Sequence, residues 1–293
     1  MADHLAAFAA TLTRTSGTVA PVQDGLLSAL ADGFQLPAKY AITAVWAGSG
    51  DEGNGDAASG YVDTMDLSAA QLEAPSMLAA GYPAVLPIGD LDHAVPIGAA
   101  SPDQAFYPLC DYALAVQDWS AGPIELKAGE SLRMRATMRA ASLRAFGLVW
   151  LCDRFEAVPP GQIYAIPYQN SGSTVPTSGS WTQVGLQLSQ PLPAGLWGIV
   201  GLQHVQTGVL AARLQLAGSP MSPGTLAVPN VRSQVGSALA AGRRGLLGKF
   251  NSYALPTLQV LAPGAGTTLV WPAPLAPFTG VLHVVKLGEG PGC

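Results

Sequence analysis

Arginines recur along one stretch of this chain in a pattern that bears on chemistry: Arg133, Arg135 and Arg139, with Arg144 just beyond. A guanidinium is a permanent cation whose planar fork suits carboxylates and phosphates. The row is therefore a candidate contact for anionic groups or for a neighbouring copy. A second cluster, DEGNGD, sets Asp51, Asn54 and Asp56 at close spacing and makes them candidate metal ligands. An EF-hand loop needs glycine at its sixth position and a bidentate Glu at its twelfth. Here those positions hold Asp56 and Val62, so only a different kind of cation site fits. The run GRRGLLGK superficially matches a phosphate-binding loop. Five residues separate Gly242 from Gly248, where four are required, and Phe250 stands where a Ser or Thr would hold magnesium. Asp90, Asp92 and His93 form a compact acid–imidazole cluster, but in a Pro- and Gly-rich stretch they read as solvated groups. The four histidines share no zinc-ligand spacing and no GxSxG is present. No catalytic residue and no cofactor is assigned, and a non-enzymatic protein is expected.

Composition turns attention from reactions to surfaces. Only 11% of the 293 residues are charged while 49% are hydrophobic, against roughly a quarter charged in an average soluble domain. Mean hydropathy is +0.29. Surplus apolar surface usually marks contact with other molecules, so much of the exterior is expected to be covered by other subunits. A membrane span is not expected, since the longest apolar run, residues 192–202, is far short of the ~20 residues needed. The amino terminus lacks the basic start and apolar core of a secretory signal. Cys110, Cys152 and Cys293 form no CxxC pair and are odd in number, which points to a reducing compartment. Charge is split along the chain. Residues 1–120 carry fourteen acids against Arg14 and Lys39, whereas residues 121–293 carry five acids and twelve bases. Such asymmetry suits opposite or complementary surfaces.

The elements that must carry these residues read as strands. Leu132, Met134, Ala136 and Met138 alternate with Arg133, Arg135, Thr137 and Arg139, the period of two that places neighbours on opposite sheet faces. Residues 124–127, 131–139 and 143–151 read as a meander turned at Ala128-Gly129. Residues 40–47, 106–119, 181–189, 257–261, 268–271 and 281–287 give further strands. Residues 196–205 and 210–216 read as a hairpin, with Leu210, Ala212, Leu214 and Leu216 inward and Arg213 and Gln215 outward. Helical spacing touches residues 66–80, interrupted by Pro75. Asp3 and Asp24 are placed to cap two short helices in the first 35 residues. No repeat of fixed period is found. The expected organisation is a partly helical arm over 1–36, an acidic loop-rich β region over 37–120 and a β-sandwich over 121–293. Many short strands punctuated by Gly and Pro, without strand–helix alternation, favour an all-β jelly roll, either single with long loops or double.

Two stretches carry a resemblance. PAGLWGIVGLQHVQTGVLAARLQLAG, residues 193–218, resembles strand pairs in structural proteins of tailless and tailed bacteriophages. IELKAGESLRMRATM, residues 124–138, is similar to strands of viral jelly rolls. The resemblance covers roughly residues 120–290. It implies a capsid, cementing or vertex protein of the virion, made in the host cytoplasm, whose partners are copies of itself and other virion proteins. Weak contact of the arginine row with packaged nucleic acid is a further expectation. The alternative is a carbohydrate-binding β-sandwich of a phage fibre or surface protein, in which exposed Trp46, Trp119, Trp181, Trp197 or Trp271 would stack on sugar rings.

Overall fold

A computed structural model describes residues 3–12, 16–51, 62–70, 75–76, 88–90, 117–118, 122–138, 143–171, 180–205, 211–226, 245–261 and 279–289. Every regular element among them is a strand, so the described part of the chain is all-β. It divides into two compact units. The amino-terminal unit comprises Ala6–Leu151 and Pro263–Trp271, and the carboxy-terminal unit Met1–Leu5, Cys152–Ala262 and Pro272–Cys293. The expected boundaries at 36 and 120 both fall inside the first.

The amino-terminal half contributes β1 (Asp3–Leu12), β2 (Ser16–Val19), β3 (Ser28–Leu30), β4 (Gly33–Gln35), β5 (Tyr40–Asp51) and β6 (Val62–Ala70). Then come β7 (Pro75–Ser76), β8 (Ile88–Asp90), β9 (Gln117–Asp118), β10 (Ile124–Leu126), β11 (Ser131–Met138) and β12 (Leu143–Cys152). The carboxy-terminal half adds β13 (Ile163–Ser171), β14 (Trp181–Leu188), β15 (Leu196–Val205) and β16 (Ala211–Gln215). It ends with β17 (Gly224–Leu226), β18 (Gly248–Asn251), β19 (Thr257–Leu261) and β20 (Thr279–Gly288).

The eight strands β13–β20 form one sheet in the order β17-β16-β19-β14-β13-β20-β15-β18. Its pairing is nested. β13 pairs with β20, β14 with β19, β15 with β18 and β16 with β17, all antiparallel. Pairs β13–β14, β16–β19 and β15–β20 join these couples edge to edge. Leu214 on β16 and Phe250 on β18 lie near opposite ends of the order, yet both belong to one buried cluster with Ile166, Trp197, Leu258 and Leu282. Strands stand ~4.8 Å apart, so a flat sheet would hold those ends well separated. The sheet must curl around its core. Within β15 the buried positions shift from Trp197 and Ile199 to Leu202 and His204. A register shift between Ile199 and Gly201 supplies the extra residue that flips the phase.

The amino-terminal unit repeats the nesting over two six-stranded sheets. β1 neighbours β12, β2 pairs with β11, β5 with β10 and β6 with β7. β12 neighbours β5, and β11 pairs with β6, as β20 joins β15 and β19 joins β16. The main chain around Phe8 bridges Pro21, with Ala9 N–H donating to Ala20 O, the counterpart of β13 beside β14. β3, β4, β8 and β9 are additions to this plan. One pairing scheme thus occurs twice, although the sequence carries no repeat of fixed period.

Three expectations are corrected. The helical arm is strand: β1 and β2 occupy it, and Leu5, Ala6, Ala7 and Phe8 are all buried, so consecutive apolar residues fill a strand covered on both faces. Of the stretch 66–80 with helical spacing, residues 66–70 and 75–76 are strand, and the rest lies outside the described residues. The meander and the hairpin do not exist as pairings. β10 and β11 flank the Ala128-Gly129 turn, where Gly129 has φ 83°, but they enter different sheets. β15 and β16 likewise pair elsewhere. Alternation reports which face a residue takes and is silent on which strand lies beside it.

Gly280 on β20 shows how closely this core is fitted. A Cβ there would run into the Tyr168 ring and the Gln203 carbonyl. Gly280→Ala is expected to destabilise the protein by about 1–3 kcal/mol through overpacking, read as a lowered urea midpoint.

Candidate functional site

On β11 the alternation places Leu132 and Met134 in the core, leaves Arg135 exposed and Arg133 half-buried. Arg133 Nη1 meets Asp32 Oδ2 at 3.2 Å, with side chains 41% and 43% exposed. Arg135 stands in register with Thr18 on one side and Asp66 on the other. Carboxylate positions therefore sit beside both arginines on their own sheet, and an ion pair this exposed adds little stability. Arg144 belongs to β12, in the other sheet of the unit, so it does not share a strand face with Arg133 and Arg135. Asp51 ends β5. Arg139, Asn54 and Asp56 lie outside the described residues, as do Asp92 and His93 of the acid–imidazole cluster. Among the described residues no group of three or more His, Cys, Asp or Glu is placed to hold a metal ion, and no helix is long and apolar enough to cross a membrane.

Of the tryptophans, Trp197 is buried and its indole N–H donates to Pro193 O at 3.0 Å. It meets Tyr164 edge to face and serves the core. Trp181 is half-buried. Trp119 and Trp271 lie outside the described residues. Cys152 is buried, and burial first, then the charges of Asp3 and Asp153, push its thiol up to about 12. It is inert as a nucleophile.

The most elaborate polar arrangement among the described residues centres on Arg213, which alternation places outward on its strand. Arg213 on β16 is only 3% exposed. Its guanidinium carbon lies 4.1 Å from the centroid of the Trp181 ring. Nε donates to Gln259 Oε1 at 2.8 Å, and Nη1 donates to Leu5 O at 3.1 Å. The residues that cover it come from the start of the chain. Asp3 N–H donates to Leu247 O, Leu5 N–H to Ser222 O, and Ser222 N–H to His4 Nδ1 at 3.1 Å. A buried cation needs such partners, because desolvation is costly without them. One signal was available: Arg213 is the only formally charged residue between Glu156 and Arg232.

The order continues outward from Arg213. Arginine donates and never accepts, so Gln259 must turn its oxygen toward Nε and its amide N–H₂ away. That Nε2 donates to Gln215 Oε1 at 3.3 Å, which turns the Gln215 N–H₂ outward in its own turn. Arg213, Gln259 and Gln215 occupy the outer face of β16 and β19, where Arg213 is in register with Gln259.

On the inner face, Tyr168 and His204 form a buried polar pair. The Tyr168 hydroxyl donates to Gln203 O at 2.8 Å, and His204 Nδ1 lies 3.0 Å from the same hydroxyl oxygen. With the hydroxyl proton committed, Nδ1 carries the ring proton and donates to it. Burial lowers the His204 pKa from 6.5 to about 3, and burial also lowers that of His283. At the edge of the sheet, Lys249 pairs with Glu156 and holds its carboxyl down at about 2.

Comparison with known proteins returns no matching family, no curated relative and no similar solved structure. Neither the arginine face nor any other described cluster assembles a nucleophile, a base and an orienting group. What the geometry offers is buried structural polarity and a neutral, ordered amide face.

Two outcomes follow from these groups. Arg213→Met should cost about 2–4 kcal/mol, because Leu5 O and Gln259 lose their donor in a buried setting, and Arg213→Lys should not restore it, lacking the planar fork. Urea unfolding measures both. His204 stays neutral in the folded chain and takes a proton only when unfolded below 6.5. Stability is therefore complete above that value and declines toward about 3, by roughly 1 kcal/mol per pH unit. Urea midpoints at stepped pH should show this acid slope, flattened in His204→Asn.

Proposed function

We propose that this chain is a structural virion protein built on two jelly rolls, which assembles with copies of itself into a bacteriophage capsid or decorates one. The observation that carries the reading is the nested pairing. A jelly roll is a long antiparallel hairpin wrapped into a barrel. In it the first strand neighbours the eighth, the second the seventh, the third the sixth and the fourth the fifth. β13–β20 follow that order throughout, and β1, β2, β5, β6, β7, β10, β11 and β12 follow it again with insertions. Of the two architectures expected, this favours the double one.

Other features agree with a shell role. The division between units keeps the charge split in a smaller form: the amino-terminal unit holds fifteen acids and seven bases, the carboxy-terminal unit four acids and seven bases. Opposite net charges on two bodies of one chain suit contact between unlike units of neighbouring copies. Large apolar side chains stand exposed at Phe155, Ile163, Tyr164, Leu196 and Tyr253. Interfaces of standard size, ~1,600 Å² each, repeated around a closed lattice, hold a shell together without any single tight contact. The reading assigns the protein no reaction.

The test is assembly. Purified protein, examined by light scattering and negative-stain microscopy alone and with virion components, is expected to form or join closed particles. A chain that stays strictly monomeric and never enters particles contradicts the proposal.

A further inference from the structure

The nested order brings three connections of the carboxy-terminal unit to one end of its sheet: 189–195, 216–223 and 252–256. No formally charged residue occurs in any of them. At this end lies a shallow depression of about 410 Å³ lined by Gln215, Ala217, Gly218, Ser219, Leu255 and Thr257. That volume falls in the range of small-molecule sites, ~300–1,000 Å³. Leu255 is 41% exposed, and Tyr253, two residues before it in the same turn, is 66% exposed. Gly218 takes φ 77°, and a side chain there would meet open space.

The geometry points to a binding site for a neutral saccharide in this depression, with Gln215 as its fixed hydrogen-bond donor. The argument begins at Arg213. Its buried guanidinium, stacked on Trp181, determines which way the Gln259 amide faces, and Gln259 determines which way the Gln215 amide faces. The Gln215 N–H₂ at the mouth is thus oriented before any ligand arrives, which lowers the ordering cost of binding. Ser219 and Thr257 add hydroxyls that both donate and accept. Leu255 adds an aliphatic wall. A pyranose matches this set, with hydroxyls around its rim and C–H groups on its face. The lining carries no charge to pair with an acidic sugar, a phosphate or a metal ion. Arg213 and Gln259 act as positioning residues, since neither lines the depression. The inference stands independently of assembly, because it requires only the carboxy-terminal unit within the full chain.

The experiment is saturation-transfer NMR on the full-length protein with a panel of neutral mono- and disaccharides at millimolar concentration. Sialylated and sulfated sugars run alongside. At least one neutral sugar is expected to receive saturation through its ring protons. Gln215→Ala should weaken its binding about 2–10-fold, the loss of one neutral hydrogen bond. Leu255→Asp should abolish binding, while Ile163→Asp, outside the depression, should leave it unchanged. Gln259→Glu keeps an acceptor for Arg213 but removes the donor to Gln215, so it should weaken binding without lowering the melting temperature. Several results overturn the assignment: no neutral sugar bound, only acidic sugars bound, or binding indifferent to both Gln215→Ala and Leu255→Asp. If Leu255→Asp instead alters self-association while no sugar binds, the surface is a contact between copies and the saccharide site is refuted.

Discussion

Strand β20 holds the carboxy-terminal unit together, because it is bonded along nearly its whole length on both sides. Thr279 to Val285 pair with β13, and Thr279 to Gly288 pair with β15. Without it the sheet separates into β17-β16-β19-β14-β13 and the pair β15-β18. This strand comes last in chain order among the described strands of the unit, and its partner β13 lies more than a hundred residues upstream. Closure of so long a loop must precede the pairing that rewards it. Leu282 and Val284 supply the inward face that makes closure favourable, while Gly280 leaves room for the Tyr168 ring. In the amino-terminal unit β12 takes the same central place, next to β1 and β5.

Polar groups follow the same constraint. Once the outer face of β16 is covered by Asp3–Leu5, Arg213 cannot reach water, and its bonds to Leu5 O and Gln259 replace hydration. On the inner side, Tyr168 and His204 satisfy one another between β13 and β15. These are fixed, neutralised or charge-compensated arrangements. None resembles a site where a pKa is tuned for proton transfer, since His204 is held far from the physiological range by burial alone.

Much of the fold was legible in the sequence. Alternation located β11, β12, β14, β15 and β19 within a few residues, and it assigned the faces of Leu132, Met134 and Arg135. Partners were not legible, because alternation is a property of one strand and pairing a property of two. Nested topology separates β10 from β11 and β15 from β16, which is why the expected meander and hairpin dissolved. The first twelve residues misled for a related reason. DHLAAF lacks alternation since both faces of β1 are buried, and a run of small apolar residues mimics a helix. Arg213 misled because an arginine among apolar residues is ordinarily solvent-facing. Its burial depends on Leu5, 208 positions away.

The proposal of a shell protein rests on wrapped hairpins, low charge and exposed apolar side chains, all of which concern how copies meet. The copy number of this chain in a purified particle tests it most directly. Quantitative mass spectrometry should find it in the high, fixed stoichiometry of a symmetric lattice component. Absence from the particle, or presence at a trace level unrelated to its symmetry, would contradict the account.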